Sequence, residues 1–352
     1  MLYTYRSVQA LRALASLSVV CYHISDNLVR TSGVAPFGWI FQRGFAGVDL
    51  FFVISGFIIV HSSGHLIGCP EAVLGYLLRR FCRIFPLYWL TLLPLLIAVW
   101  LFPKNEVVRL LPAGGLSRSF QAVFLLPGHP GYNAVSWTLS FELYFYLLFA
   151  WAIFSRRAIG GLALLTLAVI ALGITRKFGG NLSTHTLLES FFFNPLCLEF
   201  ALGAGVALLN RRYRIAHPFL PAIAGLLLAW LFCPQEPMSL NRVWSLGPAA
   251  ALILLGITQA ERRHSFRIPV WLADLGDASY VLYLLHFPII IISDKVMVIL
   301  GEQSVPMRSA IGFALTAGMC WLSIRIHRHI EAPLMQWARH RMSPGPVKEK
   351  TP

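Results

Sequence analysis

The chain has 352 residues, 57% of them hydrophobic and only 12% charged, whereas a soluble domain carries about 25% charged residues; with a mean hydropathy of +0.67, this composition fits the bilayer rather than water. The formal net charge of +14 would point to nucleic acid in a soluble protein. Here the basic residues stand in short clusters between apolar runs, which is the mark of positive charge held on the cytoplasmic side of a membrane and excludes a nucleic-acid partner.

Apolar runs of roughly 17–25 residues are span candidates. They fall at 8–25, 44–60, 84–102, 134–154, 158–174, 187–209, 217–233, 242–260, 278–300 and 307–326. The first run, behind Arg6, mimics a signal peptide, but Arg12 interrupts it and no small-residue cleavage site follows, so it reads as an uncleaved span. Residues 71–83 read as an interfacial helix running into the third span, and the Gly- and Pro-rich stretch 103–133 is expected to fold back over the outer face. With the N-terminus in the cytoplasm, 19 of the 29 Lys and Arg residues lie inside, including the doublets Arg156-Arg157, Arg211-Arg212 and Arg262-Arg263. The expectation is an all-α, polytopic integral membrane bundle of about ten transmembrane helices with both termini cytoplasmic. Residues 1–335 form one transmembrane domain, and 336–352 form a short disordered tail. Neither the six cysteines, which form no C-x-x-C pair, nor the scattered histidines have the spacing of a metal site.

Ionisable groups inside a span cost several kcal/mol unless paired or solvated, which makes each one a site candidate. His23 lies 11 residues after Arg12, hence about 16 Å farther from the cytoplasm at ~1.5 Å per residue. Asp49, early in the descending second span, has a similar depth. The two can meet as a base and the carboxylate that orients it, or as a hydrogen-bonded pair that joins two helices. Glu142, near mid-bilayer in Trp137-Thr138-Leu139-Ser140-Phe141-Glu142, serves either as an acid or base or as a partner for Arg12 or another helix. Arg80 and Arg83 share one helical face at the cytoplasmic surface. Such a pair suits a phosphate or pyrophosphate, or is an ordinary inside-positive anchor. Ser279, Tyr283 and His286 share a face of the ninth span and either line a tunnel or act as interhelical glue. Glu331 and Pro333 read as a helix-end cap or as the partner of a cytoplasmic arginine.

Together these segments resemble the membrane acyltransferase family 3, which includes bacterial O-acetyltransferases of surface sugars, and within it the exopolysaccharide-production group. The resemblance runs through Leu11-Arg12-Ala13, His23, Gly47 to Phe57, Arg80-Phe81-Cys82-Arg83-Ile84-Phe85-Pro86, Trp137 to Glu142, the Tyr283/His286/Pro288 block and Glu331-Ala332-Pro333. It implies a ten-span enzyme of the cell inner membrane. Such an enzyme takes an acetyl group from cytoplasmic acetyl-CoA and places it on a saccharide hydroxyl. The acceptor is an exported polysaccharide or its lipid-linked precursor, and polysaccharide-assembly proteins are implied as partners. Residue by residue, the resemblance implies His23 as catalytic histidine supported by Asp49 or Glu142. Arg80, Arg83 and Arg12 fall to the coenzyme A phosphates, and Trp137, Ser279, Tyr283 and His286 to the substrate channel. No metal is implied. The competing expectation, a transporter or flippase for a lipid-linked saccharide, calls for internal repeats, and the sequence shows none.

Overall fold

The structure, a computed structural model, describes residues 5–33, 41–101, 115–129, 131–178, 191–235, 237, 239, 242–264, 266–299, 301 and 304–342. Among them every regular element is helical: α1 (Arg6–Ser32), α2 (Gly47–Ser63), α3 (Val73–Leu101), α4 (Leu116–Val123), α5 (Trp137–Phe154), α6 (Ala158–Phe178), α7 (Cys197–Arg212), α8 (Phe219–Phe232), α9 (Arg242–Arg262), α10 (Val270–Asp277), α11 (Ser279–Ile299), α12 (Val305–Ile326) and α13 (Ala332–Met342), with short 3₁₀ turns and a π-helical turn at His327–Glu331. A helix stands at each of the ten expected segments. By length and apolar character alone, six of the described helices can cross a membrane. The count is seven when α10 and α11, bent by 68° at their junction, are taken as one broken span. The chain is therefore an all-helical, polytopic membrane protein. Residues 103–114 and 130 of the stretch 103–133 lie outside the described residues, as does the tail beyond residue 342.

The lead-in expected at 71–83 and the third span form one continuous helix from Val73 to Leu101. Pro86 and Pro94 lie inside it; a membrane helix tolerates them because neighbouring groups take over the freed carbonyls. Tyr280 Oη ties a later helix to this one, donating to the Ile84 carbonyl at 2.8 Å.

Helix α2 is the axis of the bundle and packs on α1, α5, α7 and α9. Lipid is as apolar as leucine, so such contacts rest on close backbone approach. A Cβ at Gly56 would run into the Phe200 carbonyl, and one at Gly203 into the Val53 carbonyl. Gly203→Val is thus expected to destabilise the bundle by about 1–3 kcal/mol, the usual cost of overpacking. Gly205→Ala, with nothing within 4 Å of the added methyl, should be neutral. Thermal unfolding of the purified variants in detergent checks both, and equal melting of the two would remove the α2–α7 approach from the packing argument.

Outward, α6, α8 and α12 expose Leu164, Leu167, Leu220, Trp230, Leu231, Phe313 and Trp321, as lipid-facing helices do. Inward, polar groups are paired across long sequence distances. Glu261 accepts from the Arg6 and Ser7 amides at 2.9 Å each, satisfying donors that the start of α1 would otherwise leave open. Asn210, Thr258 and Gln259 form a buried hydrogen-bonded set joining α7 to α9.

Candidate active site

A cavity of about 430 Å³ penetrates the bundle between α1, α2, α3, α5, α10, α11 and α13. Residues Val48 to Ile59 of α2 border it, a run of about 16 Å at ~1.5 Å per residue. One end is basic, with Arg12, Arg80, Arg83 and Arg339 in its wall together with His327. Glu142 and Asp277 supply the acid groups. At the other end the wall is formed by Phe51, Thr138 and Tyr283.

The two arginines of the R-x-x-R element are held differently. Arg80 lies 5.2 Å from the Tyr76 ring and 5.0 Å from the Tyr146 ring. Its guanidinium donates to the Ser62 and Ser63 hydroxyls at 3.4 and 3.5 Å. Cation–π contacts fix its position without neutralising it. Arg83 is ion-paired with Glu331, one of the two roles expected for that glutamate, and Glu331 is also 2.7 Å from His327 Nδ1. Arg12 donates to Gln9 at 3.3 Å. Among the described residues, neither Arg12 nor Arg80 has a carboxylate within ion-pair distance. With Arg12, Arg80, Arg83 and Arg339 against Glu142, Asp277 and Glu331, the basic end is net positive by formal charge, and an incoming anion is its natural complement.

Glu142 belongs to this end and not to His23. It accepts from Tyr146 Oη at 2.5 Å and lines the same cavity as Arg12 and Arg80.

His23 is half-buried on α1 and stands outside the cavity wall. Its ring packs against Tyr22, Phe287 and His286 at centroid distances of 4.9, 5.3 and 5.3 Å. The wholly buried His286 lies 5.6 Å from Tyr283, whose hydroxyl is 3.1 Å from Thr138 Oγ1. Tyr283 and His286 thus link the far end of the cavity to His23. Ser279, also wholly buried, lines the cavity at the α10–α11 break. That break follows the rule that irregular backbone in a membrane protein lines a cavity.

Two sequence assignments are displaced. Asp49 does not orient His23, because its carboxylate accepts from Arg242 Nε at 3.0 Å, with Arg242 and Asp49 both buried and Glu199 adjoining Asp49. Trp137 does not line the main cavity. It borders a separate pocket of about 260 Å³ with Phe141 and Arg242, and its ring packs edge-on against Phe52. The sequence reading missed Glu199, Arg242 and Tyr146. The signal for the first two was present, since each is a charged residue inside an apolar run, the criterion that had selected Asp49.

Comparison with known proteins agrees with this arrangement. Residues 5–325 match the family described as an acyltransferase domain. The exopolysaccharide production protein ExoZ of Rhizobium meliloti is 29% identical over 322 residues, covering 86% of this chain and 92% of that protein. The acyltransferase MdmB of Streptomyces mycarofaciens is 29% identical over 388 residues, covering 98% and 96%. No solved structure matches. Since the match runs from the start of α1 to the end of α12, the chain belongs to the acyltransferase-domain family and is a membrane-bound acyltransferase.

Proposed function

We propose that the protein transfers an acetyl group from cytoplasmic acetyl-CoA to a hydroxyl of an exported saccharide or its lipid-linked precursor. In this reading it sits in the cell inner membrane as a ten-span bundle with both termini cytoplasmic. One observation carries the proposal: an elongated cavity is basic at the end lined by Arg12 and Arg80 and adjoins, at the other, a Tyr283–His286–His23 series. A coenzyme A ester has the same polarity, with phosphates at one end and a slender arm carrying the thioester at the other. Arg12 and Arg80 meet the phosphates, and Arg83, through Glu331, supports the wall beside them. Glu142 and Tyr146 lie along the arm. His23, as base, takes the proton of the acceptor hydroxyl while its oxygen attacks the thioester carbonyl. The carbon–sulfur bond breaks, and the proton ends on the coenzyme A thiol. The name of the Rhizobium relative, an exopolysaccharide production protein, supports a saccharide as acceptor.

Membranes with and without the protein, given radiolabelled acetyl-CoA and the host polysaccharide, test the reading. Protein-dependent release of free thiol, together with label in the saccharide, is expected. Thiol release with label elsewhere would replace the acceptor, and no release would replace the donor.

A further inference from the structure

The family match ends at residue 325, and the sequence beyond 335 reads as tail. The described chain instead continues as structure. The π-helical turn His327–Glu331 leads into α13, which packs along α3 and wholly buries Ala338. Glu331, 1% exposed, anchors the turn by binding both Arg83 and His327. Ala332, Met335, Gln336 and Arg339 are spaced i, i+3, i+4 and i+7 and so form one helical face. All four lie in the wall of the main cavity. Gln336 and Arg339 are exposed, which puts them at the cavity's mouth rather than in its packed interior.

Charge matching gives this face a use. Coenzyme A bears a pyrophosphate and a 3′-phosphate. A guanidinium meets such groups through paired N–H donors. Arg83 already serves Glu331, which leaves Arg12 and Arg80 for more anionic groups than they can match. Arg339 brings a further guanidinium to the same wall, and Gln336, one turn away, adds an amide.

We propose that Arg339, with Gln336 beside it, binds a phosphate group of the acyl-CoA donor, so that α13 is the outer wall of the donor site. The assignment rests on the donor reading above. It predicts that Arg339→Ala raises the KM for acetyl-CoA about tenfold with kcat unchanged, since tenfold is ~1.4 kcal/mol and a hydrogen bond to a charged group contributes about 1.5–3 kcal/mol. Acetyl-pantetheine, which lacks the phosphates, should be used equally by wild type and variant. Arg339→Lys should fall between. Binding of free coenzyme A to the purified protein in detergent gives a second readout, with Kd raised by a similar factor in Arg339→Ala. An unchanged KM and Kd would overturn the assignment, as would a parallel loss with acetyl-pantetheine, which would mean damage to the fold. If wild type itself neither uses acetyl-CoA nor binds coenzyme A, the donor reading fails and takes this assignment with it.

Discussion

His23→Ala is expected to lower acyl transfer roughly 10²–10⁴-fold, the range that a positioned general base contributes, with the level of folded protein in the membrane unchanged. The second half of that expectation follows from its surroundings. The imidazole is half-buried among Tyr22, His286 and Phe287 and makes no ion pair among the described residues, so its removal leaves no buried charge without a partner. The loss should appear in kcat and not in KM for acetyl-CoA, because the proposed donor reading puts the phosphates at the basic end of the cavity. The measurement is labelled acetyl entering saccharide per mole of folded protein. Equal labelling by wild type and variant would remove His23 from the chemistry, and a raised KM alone would make it a binding residue.

Arg242→Met should act on stability. Arg242 is bound to Asp49 at 3.0 Å, the side chains are 5% and 0% exposed, and Glu199 lies against Asp49. Removing one partner of a buried pair costs about 3–5 kcal/mol because the other is left without compensation, whereas replacing both with apolar groups of similar volume is often close to neutral. The single variant should therefore melt well below wild type in detergent, and Asp49→Leu combined with Arg242→Met should recover part of the loss. Asp49→Asn separates this reading from a catalytic one. It should reduce the yield of folded protein while the molecules that fold retain near wild-type turnover. A fold-independent collapse of turnover in Asp49→Asn would return Asp49 to the reacting groups.

The sequence carried the positions of the helices well, because a span must satisfy its own backbone and exclude charge, and both constraints are local. The run at 217–233 became Phe219–Phe232, and 44–60 became Gly47–Ser63. Partner choice was not legible. Asp49 and His23 share a depth, but depth does not fix the angular position of a helix about its axis. Asp49 finds Arg242, 193 residues away, on a helix that no local pattern places beside it. The same limit separated Glu142 from His23 and Trp137 from the cavity. Tyr283 and His286 were legible as one polar face, since their spacing along α11 is itself local. The C-terminal helix was misjudged because α13 is polar by composition and owes its place to the distant Arg83–Glu331 pair.

The aromatic end of the cavity bears on how a membrane keeps its gradient. A bilayer at 100 mV assigns about 2.3 kcal/mol to each unit charge that crosses it. An open, water-filled shaft from the basic mouth to the opposite face would therefore drain the gradient the cell maintains. Phe51 and Tyr283, with ring centroids 5.8 Å apart, line the far part of the cavity with Thr138, and the wholly buried His286 packs on Tyr283. On the proposed reading, these groups keep the bilayer insulating while a neutral acyl group passes to the acceptor.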